Sequence, residues 1–416
     1  MSERTVLCVD LRSFFAAVEC ADAGFDIYDV PLVVADRARS RGSITLAVTP
    51  YLKVKGVPSR GRVYELPKDE PIIYAKPRMS RYVEVSTQIV EIYLNYVSDE
   101  DLHVYSIDEA FLDVTTYLSY FDMTPEALAH TIQQHVYEAT KIPSTIGIGP
   151  NMVMAKMALD LDSKHMASGI ARWTHEDLET RLWPIMPLSK VWGIGHRMEQ
   201  RLNAMGIHTM YDIAHTEIGV LKDVFGVMGE ELYYHAHGLD ASIMSDPNSY
   251  QPRHISIGHG QTLYHDYNGI EAKLVLLELV DRVAKRLRAK QVIGSVIHLS
   301  IGYSKKAPGG FSRQMTIPAT DSPACIYDAA IQLFDQFYKG EPIRRVGISV
   351  GHVIHPSHEQ IDLFGDTLKR QKEKALLTAM DSIQSWYGKN AVLRAVYYTK
   401  ESTMRMRNGL IGGHRA

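Results

Sequence analysis

Residues 104–114, VYSIDEAFLDV, set two adjacent carboxylates, Asp108 and Glu109, into a mostly apolar run. Tyr105 and Ile107 before the acids, and Phe111 and Val114 after them, alternate as strands do, which puts the pair at or near a tight β-hairpin turn. A buried carboxylate without a partner is costly, so such a turn has to aim both acids at something. A third acid, Asp10, ends the apolar run 5–9, which reads as a buried strand. Brought together, Asp10, Asp108 and Glu109 make an all-oxygen set suited to hard divalent cations such as Mg²⁺, as in two-metal phosphoryl-transfer sites. A solvated hairpin is the simpler reading of an Asp-Glu turn taken alone.

Around that hairpin the chain spells βαββαβ: a strand at 4–10, a helix at 79–97, strands at 102–107 and 110–115, a helix at 124–140 and a strand at 143–149. An insertion rich in Gly, Pro and Arg separates the first strand from the first helix and predicts a small subdomain. The order recurs, with strands near 254–263, 294–303, 311–317 and 343–354 and helices near 271–290 and 322–339, as a second ferredoxin-like arrangement. Residues 175–240 read as helical and 240–253 as a polar, Pro-containing linker. Beyond 355 lies a tail with a helix around 366–387.

Composition limits the alternatives. A chain of 416 residues, 45% hydrophobic and 22% charged, holds two to four ordinary folded domains. No apolar stretch approaches the roughly 18 residues of a membrane span, and no signal-like segment precedes the first strand, so a cytoplasmic protein is expected. Cys8, Cys20 and Cys325 lack metal-ligand spacing, which disfavours zinc and a disulfide framework. The net charge of −3 does not announce nucleic-acid binding. One basic run does stand out: Arg282, Lys285, Arg286 and Arg288 share a segment whose Leu276, Val280, Val283 and Leu287 recur at helical spacing. A solvated helix face is the commoner meaning of such a run.

Several shorter motifs carry chemistry. Residues 191–195, VWGIG, precede an amphipathic stretch and a second Gly-Ile at Gly206 and Ile207, the pattern of a helix-hairpin-helix. Around Ile194, the side-chain-free Gly193 and Gly195 let backbone amides at a helix start approach a DNA phosphate. A plain αα-turn is the competing reading. Phe14 and Phe15 follow Asp10 at a helix start; Phe14 suits packing, and a ring beside a bound nucleotide would fill the space of a ribose 2′-hydroxyl. Lys53 and Lys164 are ordinary surface lysines by default, and near a triphosphate they would offset its charge. The GIG at 147–149 lacks the Gly-Lys-Ser/Thr of a P-loop and reads as a strand-to-helix turn. In the tail, residues 360–364, QIDLF, offer Gln360 for a hydrogen bond and Leu363 and Phe364 as an apolar plug.

Together these segments resemble the Y-family translesion DNA polymerases, in their DinB/UmuC-like bacterial branch. VDLRSFFAAVE resembles the first metal motif, SIDEAFLD the second, GIGPNMVMAKMA the next palm segment, VWGIG the thumb hairpin and PIRRVGISV a strand of the little finger. The resemblance implies an α+β, right-hand polymerase. It has a ferredoxin-like βαββαβ palm at 1–11 and 76–174, small fingers at 12–75 and a helical thumb at 175–240. A linker at 241–252 leads to a second βαββαβ domain, the little finger, at 253–355, and a tail at 356–416 carries a clamp-binding motif. It also implies two Mg²⁺ ions held by Asp10, Asp108, Glu109 and the main-chain carbonyl of Leu11. Phe15 matches the steric gate, with Phe14 beside it, and Lys53 and Lys164 match contacts to the incoming triphosphate. Counted back from Gly56, Pro50 falls at the family's fingers tyrosine and Lys53 at its arginine.

The implied activity is template-directed DNA synthesis of low fidelity and low processivity on primer-template DNA, from deoxynucleoside triphosphates. Gly193, Ile194, Gly195 and the basic run at 282–288 would hold DNA. Gln360, Leu363 and Phe364 would bind a sliding clamp, with an accessory activator as a further partner and no membrane. Two other readings stand beside it: a catalytically idle DNA-binding or clamp-tethered scaffold, and a nucleotidyl cyclase built on a similar palm.

Overall fold

The computed structural model describes residues 4–37, 42–246, 255–356 and 367–415. The chain divides into two units, 1–250 with 414–416, and 251–413.

The first unit opens with β1 (Val6–Leu11) and α1 (Phe14–Ala23), then β2 (Leu32–Val34), β3 (Ala47–Val48), α2 (Pro50–Val54) and β4 (Ile73–Ala75). There follow α3 (Met79–Tyr93), β5 (Leu102–Val104), β6 (Glu109–Asp113), α4 (Tyr117–Phe121), α5 (Pro125–Thr140), β7 (Ser144–Gly149), α6 (Met152–Leu161) and β8 (Ile170–Arg172). The main sheet has the order β5-β6-β1-β7-β8. Its first four strands, with α3 and α5, are the ferredoxin-like arrangement, and β8 adds a parallel edge strand beside β7. The insertion makes its own sheet, β3-β2-β4, over a small core of Val33, Val48, Leu52 and Leu66.

Strand periodicity decides which residues meet. Leu7, Val9 and Leu11 of β1 enter one core with Ala110 and Leu112 of β6 and the inner faces of α1, α3 and α5. Val6 and Cys8 pack on the opposite face with Phe111, Ala155 and Leu159. Asp10 and Glu109 fall on this second face by the same alternation. The helix covering it is α6, capped by the Asn151 side chain, which accepts a 2.9 Å bond from Met154 N.

The 147–149 glycines are strand residues of β7 rather than the expected turn, and they set how closely α6 lies. A Cβ on Gly147 would sit 2.0 Å from the Ala155 carbonyl oxygen, and one on Gly149 2.4 Å from the Ala155 nitrogen. Backbone-to-backbone packing of this kind tolerates only glycine.

Residues 178–236 are helical but broken. Short π and 3₁₀ turns lead into α7 (His196–Ala204), α8 (Met210–Ala214), α9 (Ile218–Phe225) and α10 (Val227–Ala236). Leu182, Leu202, Met210, Leu221 and Leu232 share a core with Val153, Met154 and Met157 of α6, so α6 joins this helical part to the sheet.

The second unit contains β9 (Ile257–Tyr267), α11 (Gly269–Ala289), β10 (Ile293–Tyr303), β11 (Gly310–Thr320), α12 (Pro323–Phe337) and β12 (Ile343–Ile354). The βαββαβ chain order is as expected; the strand order is not. The sheet runs β11-β10-β12-β9, with the last strand inside and the first at the edge. A ferredoxin-like sheet would place the first strand centrally, as β1 is in the first unit. Chain order fixes which elements form, while the pairing of β12 between β9 and β10 is a matter of long-range register.

The tail is part of this unit. Helices α13 (Thr367–Tyr387) and α14 (Met404–Asn408), with the turn between them, pack on α11. Glu278 of α11, fully buried, accepts bonds from Ser402 Oγ, Thr403 N and Thr403 Oγ1, and pairs with Arg407 at 3.3 Å. Opening one side of such a buried pair costs about 3–5 kcal/mol, which makes these residues an integral clasp. Residues 360–364 lie outside the described residues, and with them Gln360, Leu363 and Phe364. No helix among the described residues is long and apolar enough to cross a membrane.

Candidate active site

Asp10 and Glu109 are direct cross-strand partners at the ends of β1 and β6. Asp108 sits in the turn just before β6, where its carbonyl accepts a 2.8 Å bond from Leu11 N and its carboxylate a 2.6 Å bond from Ser106 Oγ. The turn is pinned from below by Ser86, whose hydroxyl donates to the Ile107 carbonyl at 2.7 Å. The three expected acids thus meet at one edge of the sheet.

Two lysines face them. Lys156 Nζ lies 2.8 Å from Glu109 Oε1 and 3.2 Å from Asp160 Oδ2. Lys164 Nζ lies 2.8 Å from Asp160 Oδ1 and 3.6 Å from Asp10 Oδ2. Lys156 is 5% exposed, and sequence reasoning missed it. Its signal was present: one lysine inside the apolar helical run MVMAKMA, where a surface residue has no place. Burial opposes its charge, yet Cys8, Glu109 and Asp160 together hold its pKa above the ordinary lysine value. The Cys8 thiol donates to Glu109 Oε1 at 3.4 Å, and burial pushes that thiol well above its usual range.

Asp10 is the electrostatically loaded member. Burial, with Asp108 and Glu109 adding to it against the pull of Lys164 and Lys156, raises its pKa from 3.8 to about 6. A raised carboxyl pKa contributes stability that is complete below the unfolded value and lost as pH rises through the folded one. Metal-free protein should therefore lose stability between about pH 4 and pH 6, by about 1–3 kcal/mol. Asp10→Asn should recover that amount at pH 8 and nothing at pH 4 in urea unfolding with a chelator. An equal effect at both pH values would refute the assignment of the load to Asp10.

Among the described residues no three His, Cys, Asp or Glu side chains already form a metal-holding group; Glu109 and Asp10 lean on lysines instead. The donors nonetheless fit a hard cation. They are all oxygens, Asp108 and Glu109 add their charge to the burial that loads Asp10, and the Oγ1 of Thr145, across the sheet from Asp10, is buried without a hydrogen-bond partner.

Phe14 and Phe15 separate in role. Phe14 is 2% exposed and belongs to the core, the packing role its sequence suited, which leaves no nucleotide contact for its ring. Phe15 is half-buried, its ring stacked 4.6 Å from Tyr82, whose hydroxyl donates to Glu19 at 2.6 Å. Lys53, exposed in the last turn of α2, is pushed below its ordinary pKa by desolvation against the pull of Asp10, and the Lys164 and Arg12 cations add to the push. Tyr51 is turned away, donating to Glu70 at 3.0 Å.

In the hairpin, Gly193 has φ +89° and Gly195 caps α7, with nothing within 4 Å of a Cβ at either. Ile194 is 3% exposed and anchors the hairpin in the helical core, so its side chain is not a DNA contact. The basic face of α11 is also corrected. Arg288 pairs with Asp381 at 2.8 Å, Lys285 donates to Gln384 at 2.8 Å, and Arg282 donates to Asn408 at 3.0 Å, all three partners coming from the tail. Arg286 stays exposed and donates to the Gly258 carbonyl. The charge run is largely an internal docking face. The other side of the sheet is different: Ser312, Ser300, Gly347 and Gly260 form one row across four strands, and Gln314, His298, Ser349 and Gly258 the next.

Comparison with known proteins agrees with this geometry. The impB/mucB/samB family model matches residues 9–160, its C-terminal domain model 254–363, and a "DNA polymerase-iota, thumb domain" model 190–240. The chain belongs to the impB/mucB/samB family, the Y-family polymerases of the bacterial DinB branch. Its relatives include the "Putative UV-damage repair protein UvrX" of Bacillus subtilis (strain 168), 40% identical over 99% of this chain and 98% of that protein. "DNA polymerase IV 2" of the same organism is 35% identical over 100% and 99%. "DNA polymerase IV" of Pelotomaculum thermopropionicum is 32% identical over 97% and 98%. A solved structure, "Y-family DNA polymerase chimera Dbh-Dpo4(243-245)-Dbh", superposes with a TM-score of 0.65 at 23% identity, covering 85% of this chain and all of that one, which shows the right-hand fold. Family membership implies a divalent metal.

Proposed function

We propose that the protein is a template-directed DNA polymerase of low fidelity and low processivity that copies past damaged bases, working in the cytoplasm. The observation that carries this is the meeting of Asp10, Asp108 and Glu109 at one sheet edge under two lysines. Asp10, Asp108, Glu109 and the carbonyl of Leu11 would hold two Mg²⁺ ions. When bound, these supply positive charge that lowers the pKa of a primer 3′-hydroxyl and offsets charge on the triphosphate and leaving pyrophosphate.

The chain's own residues do the rest by positioning. Lys164 and Lys53 offer ammonium groups to β- and γ-phosphate oxygens. The half-buried Phe15, held by its stack on Tyr82, excludes a 2′-hydroxyl. The amides at Gly195 and the start of α7, with open space where a side chain at Gly195 would stand, bind a backbone phosphate without reading sequence. The Gly- and Ser-rich sheet face of the second unit replaces α11 as its DNA-facing surface, because small side chains let a phosphodiester backbone lie close.

The test is primer extension on undamaged and abasic templates with Mg²⁺ and four deoxynucleotides; binding without extension would favour the scaffold reading, and a cyclic product from triphosphate alone the cyclase. For the sliding clamp, Leu363→Ala with Phe364→Ala should keep basal extension and abolish stimulation by added clamp, since tethering acts through effective concentration. Equal stimulation of both forms would remove 360–364 from that role.

A further inference from the structure

We propose that Asp160, which is none of the three catalytic acids, is a positioning residue that divides two lysines between them. Lys156, Asp160 and Lys164 follow one another at intervals of four, so they line one stripe of α6 and the 3₁₀ turn after it. Each Asp160 oxygen takes a different ammonium, Oδ1 that of Lys164 at 2.8 Å and Oδ2 that of Lys156 at 3.2 Å. Beyond them the lysines reach Asp10 and Glu109, giving a row of alternating sign: Glu109, Lys156, Asp160, Lys164, Asp10.

An exposed ion pair four residues apart on a helix contributes little. This row is different, because the side chain of Lys156 is only 7% exposed and that of Asp160 only 28%. With Asp160 present, each ammonium divides its attraction, and the catalytic carboxylates keep oxygen lone pairs for a cation. Without it, each lysine has a catalytic carboxylate as its remaining near partner and competes with the cation for the same oxygens. The inference rests on the polymerase reading for what the carboxylates do, and its first test does not require catalysis.

Mg²⁺ alone is titrated calorimetrically into the metal-free full-length protein. Asp160→Asn should raise the dissociation constant at least about tenfold, and adding Lys156→Met to it should restore most of the loss by removing the competitor. Lys156→Met alone, with Asp160 intact, should bind Mg²⁺ no more weakly than wild type. With primer-template, Asp160→Asn should raise the half-saturating Mg²⁺ concentration by a similar factor without raising KM for the deoxynucleotide, because a lost negative charge beside two lysines only favours an anion. A merely structural role would not split metal from nucleotide in this way. Unchanged Mg²⁺ binding by Asp160→Asn, or weaker binding by Lys156→Met, overturns the proposal. Weaker Mg²⁺ binding in a chain whose wild type extends no primer would leave Asp160 in place and remove the polymerase reading instead.

Discussion

Asp108→Ala should reduce primer extension by at least about 10³-fold, about 4 kcal/mol of transition-state stabilisation, while DNA binding stays within a few-fold of wild type. The backbone explains why the loss should be clean. The Asp108 carbonyl, not its side chain, receives Leu11 N and ties the turn to β1, and Ser86 holds the neighbouring Ile107 carbonyl. Alanine keeps both bonds and forfeits only the carboxylate and its bond from Ser106, whose Oγ still accepts from the backbone amide of residue 108. Loss of extension with an unchanged unfolding transition ties activity to the acid. Full extension by the variant would show that Asp108 contacts neither a required metal nor the reacting groups.

Phe15→Ala should lower the preference for deoxynucleotides over ribonucleotides on the order of 10²-fold, read as the ratio of kcat/KM values for single-nucleotide insertion. The proposed barrier is braced from behind. Tyr82 stacks on it, Glu19 fixes Tyr82, and Arg78 fixes Glu19 at 2.8 Å. Truncation opens the volume that a 2′-hydroxyl needs and leaves the scaffold standing. Phe14→Ala is the control: as a core ring it should cost about 3–5 kcal/mol of stability with the sugar preference unchanged. If Phe14→Ala changed the preference and Phe15→Ala did not, the gate would have been assigned to the wrong ring.

Much of the site was legible because its signals are local. Taken alone, an Asp-Glu turn reads most simply as a solvated hairpin; the order and spacing of the motifs around it, through their family resemblance, picked out the three acids. What escaped were pairings between distant segments. Lys156 was visible as an oddity in an apolar helix, but its partner Glu109 is on another element. The basic run on α11 looked like a nucleic-acid surface because its acceptors, Asp381, Gln384 and Asn408, come from about a hundred residues further on. Phe14 and Phe15 are neighbours of the same type; the sequence suited Phe14 to packing, and the packing of α1 against α3 shows how deeply each ring is buried.

The sequence by itself determined the order of elements in both βαββαβ units from periodicity, and through the resemblance of its motifs it pointed to the three acids, the glycine hairpin and the two aromatic rings after Asp10. The tertiary structure decided the rest: the β11-β10-β12-β9 order, the close seat of α6 on Gly147 and Gly149, the row of lysines and acids, and the tail's clasp on Glu278. The reason is physical. Strand register, helix-to-sheet distance and ion pairing depend on which surfaces exclude water together, and a linear pattern records which residues can be buried without recording against what.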